Sequence, residues 1–274
     1  MPIPLKPSPR LPVLFLGHGS PMNAVERNAW HREWMALGAQ FGPDGPYPSP
    51  QLVLCVSAHW LTAGWQLTGQ AHPPTLHDFQ GFPPELHAVR YPAPGWPEAV
   101  DALSALSAQT GGPPLAVNAS GWGLDHGAWG VLRPMFPHAQ WPVVQLSLNR
   151  AQGPSAHVAM GEWLRPLREQ GVLLVASGNV VHNLHALNPD ERVEPPGWAQ
   201  RFDALAAQHL SRGDRAGLAA LLDGGPLARQ AHPSTEHLLP LLVAAGASLD
   251  GEPLRFFNTG FQWGSIGMRS VVWG

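Results

Sequence analysis

The chain has 274 residues, 44% hydrophobic and 13% charged, and its 16 Lys and Arg against 19 Asp and Glu leave a formal net charge of -3. Without any run of like charge, that weak acidity excludes the electrostatic footprint of a nucleic-acid partner or an anionic membrane surface. A single cysteine, Cys55, excludes an internal disulfide and a thiolate metal cluster, and points to a reducing, cytoplasmic setting.

No stretch approaches the ~20 apolar residues of a membrane span, and the apolar segment 13–16 is too short for a signal-peptide core. High Gly and Pro content, 30 and 31 residues, predicts a loop-rich globular chain. The expectation is one domain over residues 1–274, with a homo-oligomer left open.

In chain order, Pro2, Pro4, Pro7 and Pro9 suggest an extended N-terminal arm. Short apolar runs at 11–16, 52–56, 143–148 and 172–175 each end in small or polar residues and read as buried strands of a mainly parallel sheet. Helical spacing covers 24–41, 96–108, 155–170, 198–210, 215–222 and 235–245. The stretch 71–97, with seven prolines and no period, reads as an ordered excursion that either lies on the surface or folds over a crevice as a lid. Residues 255–273 read as one or two glycine-interrupted strands. Strands alternating with helices predict an α/β fold, with a central, mostly parallel sheet flanked by helices.

In such a sheet, ligands bind beyond the carboxyl ends of the strands. Four of the 14 histidines stand in strand-end or glycine-rich loops: His18 in GHGSP, His59 in SAHW, His126 in GLDHG and His182 in GNVVHN. Neutral imidazole is the commonest metal ligand, and several converging in one crevice suit Zn(II) or Fe(II). The segment 231–237 adds His237 and Glu236 as alternatives for a third ligand. With Ser234 as N-cap, both would stand in a first helical turn. His185, His31, His138, His157 and His209 read as surface residues. His72, His77 and His87 travel with the excursion.

Several long segments carry a family resemblance: FLGHGSPMNA at 15–24, SAHW at 57–60, HDFQGFPPEL at 77–86 with YPAPG at 91–95, GLDHGAW at 123–129, PVVQLSL at 142–148, ASGNVVHNL at 176–184 and HPSTEHLLPLL at 232–242. Together, and in this order, they resemble the DOPA 4,5-dioxygenase-like class III extradiol ring-opening dioxygenases, in the superfamily of the protocatechuate 4,5-dioxygenase beta subunit. The resemblance implies an α/β fold with one mononuclear divalent metal at the strand ends. It implies His18, His59 and His237 as metal ligands, and His126 and His182 as the acid/base pair. In zinc-bound members it also makes His182 a fourth ligand.

The wider superfamily uses two histidines and a carboxylate, so a third histidine would make this site more cationic by one charge and favour zinc. The implied activity is insertion of O2 into a small aromatic diol, a catechol, giving a muconic semialdehyde, with Fe(II) as the active ion and Zn(II) as an inactive occupant. Trp60, Phe79, Phe82 and Trp129 are the aromatic residues near these motifs, and Arg90 is the cation from the excursion that a substrate carboxylate would recruit. Two rivals share the histidines: a zinc-dependent hydrolase, and a catalytically idle metal-holding member of the fold.

Overall fold

The computed structural model describes residues 5–190 and 194–274. Pro2 and Pro4 of the expected arm lie outside this range. Eight strands form one sheet: β1 (Val13–Gly17), β2 (Leu52–Thr62), β3 (Trp65–Thr68), β4 (Leu115–Asn118), β5 (Val143–Asn149), β6 (Val172–Gly178), β7 (Leu254–Phe257) and β10 (Ser270–Trp273). Their order is β4-β3-β5-β2-β6-β1-β10-β7. A small hairpin pairs β8 (Phe261–Gln262) with β9 (Ile266–Gly267).

The heart of the sheet, β5-β2-β6-β1, is parallel throughout, and antiparallel pairs occur toward the edges. The central strands are the apolar runs legible in the sequence, and every residue of β1, β5 and β6 is buried, as a sheet covered on both faces requires. The structure therefore has the α/β architecture expected from the sequence.

Alternate residues face opposite layers. Val13 and Phe15 enter a core with α3 (Pro97–Thr110), α5 (Pro154–Leu164), α6 (Gly197–Ser211), α7 (Arg215–Ala220), α8 (Gly225–Ala231) and α9 (Leu239–Ala247), whereas Leu14 and Leu16 face α1 (Ala29–Gly38), α2 (Pro84–His87) and α4 (His126–Met135). On the first face α5 and α9 touch backbone to backbone, since a Cβ on Gly161 would stand 2.0 Å from the Val243 carbonyl oxygen.

Several boundaries differ from the sequence reading. The first helix begins at Ala29 rather than 24, because Asn28 caps it by accepting from the His31 amide, and residues 21–24 form a separate 3₁₀ turn. The 155–170 segment changes from α to 3₁₀ at Arg165, one residue before Pro166, whose missing N–H and bulky ring break the α ladder. The last helix starts at Leu239, not at 235. Pro240 is tolerated only in a first turn, so a start four residues earlier would have put it inside the helix. Ser234 is accordingly not an N-cap, and His237 sits in the turn before α9. The strands β3 and β4 are four residues each, too short to show a period.

Two histidines expected at the surface are buried. His31 places Nδ1 2.8 Å from the Asn23 carbonyl, and His157 places Nδ1 3.0 Å from that of Gly153 with its ring edge-on to Trp65.

Candidate metal centre

Parallel strands end on one side, and that side assembles the histidines. His18 follows β1, and its amide donates to the Gly178 carbonyl at 3.0 Å, where β6 ends beside it. His59 lies inside β2 rather than after it: the strand continues to Thr62, and its register against β5 slips between Val56 and Leu61. That bulge turns His59 toward the site. His126 is the first residue of α4, set there by Asp125, whose carboxylate caps the helix through the Ala128 amide at 3.0 Å. His237 is fastened by its own carbonyl, which accepts from the Asn179 amide at 2.9 Å.

One nitrogen from each of His18, His59 and His237 lies within 4.8 Å of the others. The outer nitrogens show which atoms face inward. Ser177 Oγ donates to the Gly127 carbonyl at 2.5 Å, so the 3.0 Å contact to His18 Nδ1 requires that nitrogen to donate, leaving Nε2 with a lone pair. His59 Nδ1 faces the Asp78 carboxylate at 3.7 Å, and His237 Nδ1 faces Glu236 Oε1 at 3.2 Å. Each carboxylate favours a proton on that Nδ1 and a bare Nε2.

Two consequences follow. The Nε2 atoms of His18 and His59 meet at 3.2 Å as two lone pairs, an arrangement that repels unless a cation joins them. Two nitrogens on one ion at about 2.0–2.1 Å each, with a near-tetrahedral angle, have this separation. The buried His237 Nε2 also has no partner among the described residues. Burial first, and the neighbouring imidazoles after it, hold all three rings well below the usual histidine range, so they are neutral and able to ligate. The donor set thus fits a divalent metal. Carboxylates stand behind two of the three imidazoles, Asp78 behind His59 and Glu236 behind His237.

His182 does not join this set. Its ring stacks face to face on His237, with centroids 3.4 Å apart and planes 5° from parallel. Burial, with nearby His232, lowers its pKa to about 4. His126 lies on the other flank, 3.9 Å from the His59 ring by centroids. His126 Nδ1 is 3.0 Å from Asp78 Oδ1, too bent for a well-formed hydrogen bond, while its backbone amide donates to the same oxygen at 2.9 Å. Burial pushes the Asp78 carboxyl up, but the close His126 ring and the donating His126 backbone amide outweigh that and bring the pKa down to about 2.

The excursion folds over the crevice, as one of its two sequence readings had it. Asp78, Phe79, Gln80 and Phe82 line a cavity of about 420 Å³ together with the five histidines. Trp60 and Trp129 do not line it: Trp60 stacks on Trp122 at 5.8 Å, and Trp129 is buried with Nε1 donating to the Leu76 carbonyl at 2.7 Å. Arg90 is also absent from the walls, because its guanidinium is turned onto the His87 and Val89 carbonyls. His185, read as a surface residue, is exposed and lies on the cavity rim.

Sequence reasoning missed Asp78 and Ser177 as partners of the histidines. Ser177 carried a usable signal, since it precedes Gly178 at the end of an apolar run. Asp78 carried none beyond its position next to His77.

The fold and site are those of an α/β protein whose strand ends carry a set of imidazoles able to hold a metal ion. The model of the catalytic LigB subunit of aromatic ring-opening dioxygenase matches residues 12–266, and the chain belongs to that family. A protein of Escherichia coli K12 named 4,5-DOPA dioxygenase extradiol is 42% identical over 269 residues, covering 96% of this chain and 95% of its own. A Beta vulgaris protein of the same name is 31% identical, with 93% and 94% covered. A crystal structure of an uncharacterized protein from Escherichia coli K12 superposes with a TM-score of 0.81 at 37% identity, covering 97% of this chain and 100% of that one. Family and relatives support a dioxygenase of the extradiol, ring-cleaving kind.

Proposed function

We propose that the chain is a metal-dependent extradiol dioxygenase that inserts both atoms of O2 into a DOPA-like catechol and releases a muconic semialdehyde, all within one catalytic domain. The observation that supports this best is the pair of Nε2 lone pairs facing each other at 3.2 Å beside the unpartnered Nε2 of His237. In this reading His18, His59 and His237 hold the ion. Fe(II) bound there would supply the one-electron chemistry that lets O2 react with an aromatic ring.

The remaining residues handle the substrate and its protons. Phe79 and Phe82 offer apolar walls to a flat ring. Asp78, anionic at neutral pH, favours a proton on His126 Nδ1, so Nε2 is the atom that takes a catechol proton. His182, neutral and fixed by its stack on His237, is the second proton carrier: it takes up a proton released from the substrate and gives that proton back to a substrate oxygen as the ring opens.

Oxygen uptake by protein stripped of metal and reloaded anaerobically with Fe(II) tests this against DOPA, protocatechuate, catechol and 2-aminophenol. Uptake with a new visible absorbance, lost when Zn(II) replaces Fe(II), is the expected result. No uptake at one Fe(II) per chain, with ester hydrolysis by the zinc form, would replace it with the hydrolase. Neither activity would leave a metal-holding protein.

A further inference from the structure

We propose that the cavity sorts catechols by the charge of their side chain, taking substituents that end in an ammonium group over those that end in a carboxylate. The inference rests on the ring-opening reading and adds the substituent to it. Among the described residues, two carboxylates line the cavity, Asp78 and Glu236, and no lysine or arginine does. Asp78 is engaged by His126. Glu236 is different: its Oε1 accepts from Ser234 Oγ at 2.7 Å and faces His237 Nδ1, while Oε2 has no partner among the described residues.

Only 21% of the Glu236 side chain is exposed, and it lies on the cavity wall, so its carboxylate is a partly desolvated acceptor beside the ligand space. An ammonium group placed there gains a charge-assisted hydrogen bond, whereas a carboxylate meets a like charge. Phe79, Phe82 and Trp263 line the same walls, and an ammonium group that meets the face of one of these rings gains further attraction.

A divalent ion in the site does not reverse the order. Asp78 and Glu236 together cancel its charge, and the catechol oxygens add negative charge beyond that. For a carboxylate the walls offer the Gln80 amide, a dipole rather than a fixed cation, and Arg90 is turned away onto backbone carbonyls. A zwitterionic side chain, carrying both groups, falls between the two.

Calorimetric titration of the Zn(II)-loaded protein, under argon so that no turnover occurs, tests this with three compounds: 4-(2-aminoethyl)catechol, 4-ethylcatechol and 3-(3,4-dihydroxyphenyl)propanoate. The expected order of affinity is ammonium, neutral, carboxylate, with about tenfold or more between first and last at low salt. Gln80 is exposed and makes no side-chain hydrogen bond among the described residues, so Gln80→Arg folds normally and improves propanoate binding by about tenfold. If 4-ethylcatechol binds and the propanoate matches or exceeds the amine in the wild type, charge sorting is wrong and the ring-opening reading stands. If 4-ethylcatechol itself fails to bind, both fall.

Discussion

Asp78 touches the backbone amide of His126, faces its ring at 3.0 Å and lies 3.7 Å from the ring of His59, so one carboxylate reaches both the proposed ligand His59 and the proposed proton carrier His126. Asp78→Asn keeps the shape and the acceptor for the amide but removes the charge. We expect kcat to fall by about 10- to 100-fold with metal content unchanged, and an unchanged kcat would show that His126 needs no anionic partner. His232 makes a separate prediction about pH. Fully buried, with Nε2 2.8 Å from the Val180 carbonyl, it has its pKa lowered to about 4, first by burial.

The unfolded chain binds a proton to His232 near the ordinary histidine value, and the folded chain only near pH 4, so stability is complete above the former and is lost as pH falls toward the latter. From pH 7 to 5 that loss is about 2 kcal/mol. Urea unfolding at the two pH values should show a loss smaller by about this amount in His232→Gln, which keeps a donor for Val180. An equal loss in both proteins would exclude the assignment. That His18, His126 and His182 come together in one cavity was legible because each sits among glycines or small residues at the edge of an apolar run. The carboxylate partners were not, because they are joined to the histidines only by tertiary contact.

At the level of elements, β6 and the turn before α9 form the seam that places His237. A Cβ on Gly178 would lie 2.3 Å from the His237 carbonyl oxygen, the same oxygen that accepts from the Asn179 amide. Gly178→Ala must therefore displace His237, and we expect metal affinity to weaken by at least about tenfold, the scale of a lost supporting contact. Gly130→Ala in α4 is the counterpart, since nothing lies within 4 Å of the added Cβ. It should raise stability by about 0.5–1 kcal/mol and leave metal binding intact. Equal metal affinity in wild type and Gly178→Ala, measured by competition with a chelator, would contradict the placement of His237.

The central strands could be read from unbroken apolar runs, which only a doubly covered sheet produces. The extension of β2 through His59 could not, because a bulge is a matter of register with a neighbour. The start of α9 was written in Pro240, but capping logic drawn from Ser234 overrode it.

Across the whole molecule, the parallel order β5-β2-β6-β1 brings residues 18, 59 and 182 to one side, and the helical face across the sheet contributes residue 237 from the far end of the sequence. The excursion 71–97 then closes the cavity with Asp78 and Phe79, so the imidazoles, the carboxylate beside them and the apolar walls meet only in the folded chain. Among the described residues no helix is long and apolar enough to cross a membrane. Fold class was legible because alternation of strand and helix is local. The geometry of the centre, with a carboxylate behind each of His59 and His237, was not.

The most direct test of the central claim is oxygen uptake normalised to bound metal, in wild type, His237→Ala and His126→Ala loaded with Fe(II). The account predicts about one metal per chain and full uptake in the wild type, loss of both in His237→Ala, and normal metal with uptake lowered at least about 100-fold in His126→Ala. Stoichiometric metal with full uptake in His237→Ala, or full turnover in His126→Ala, would contradict it.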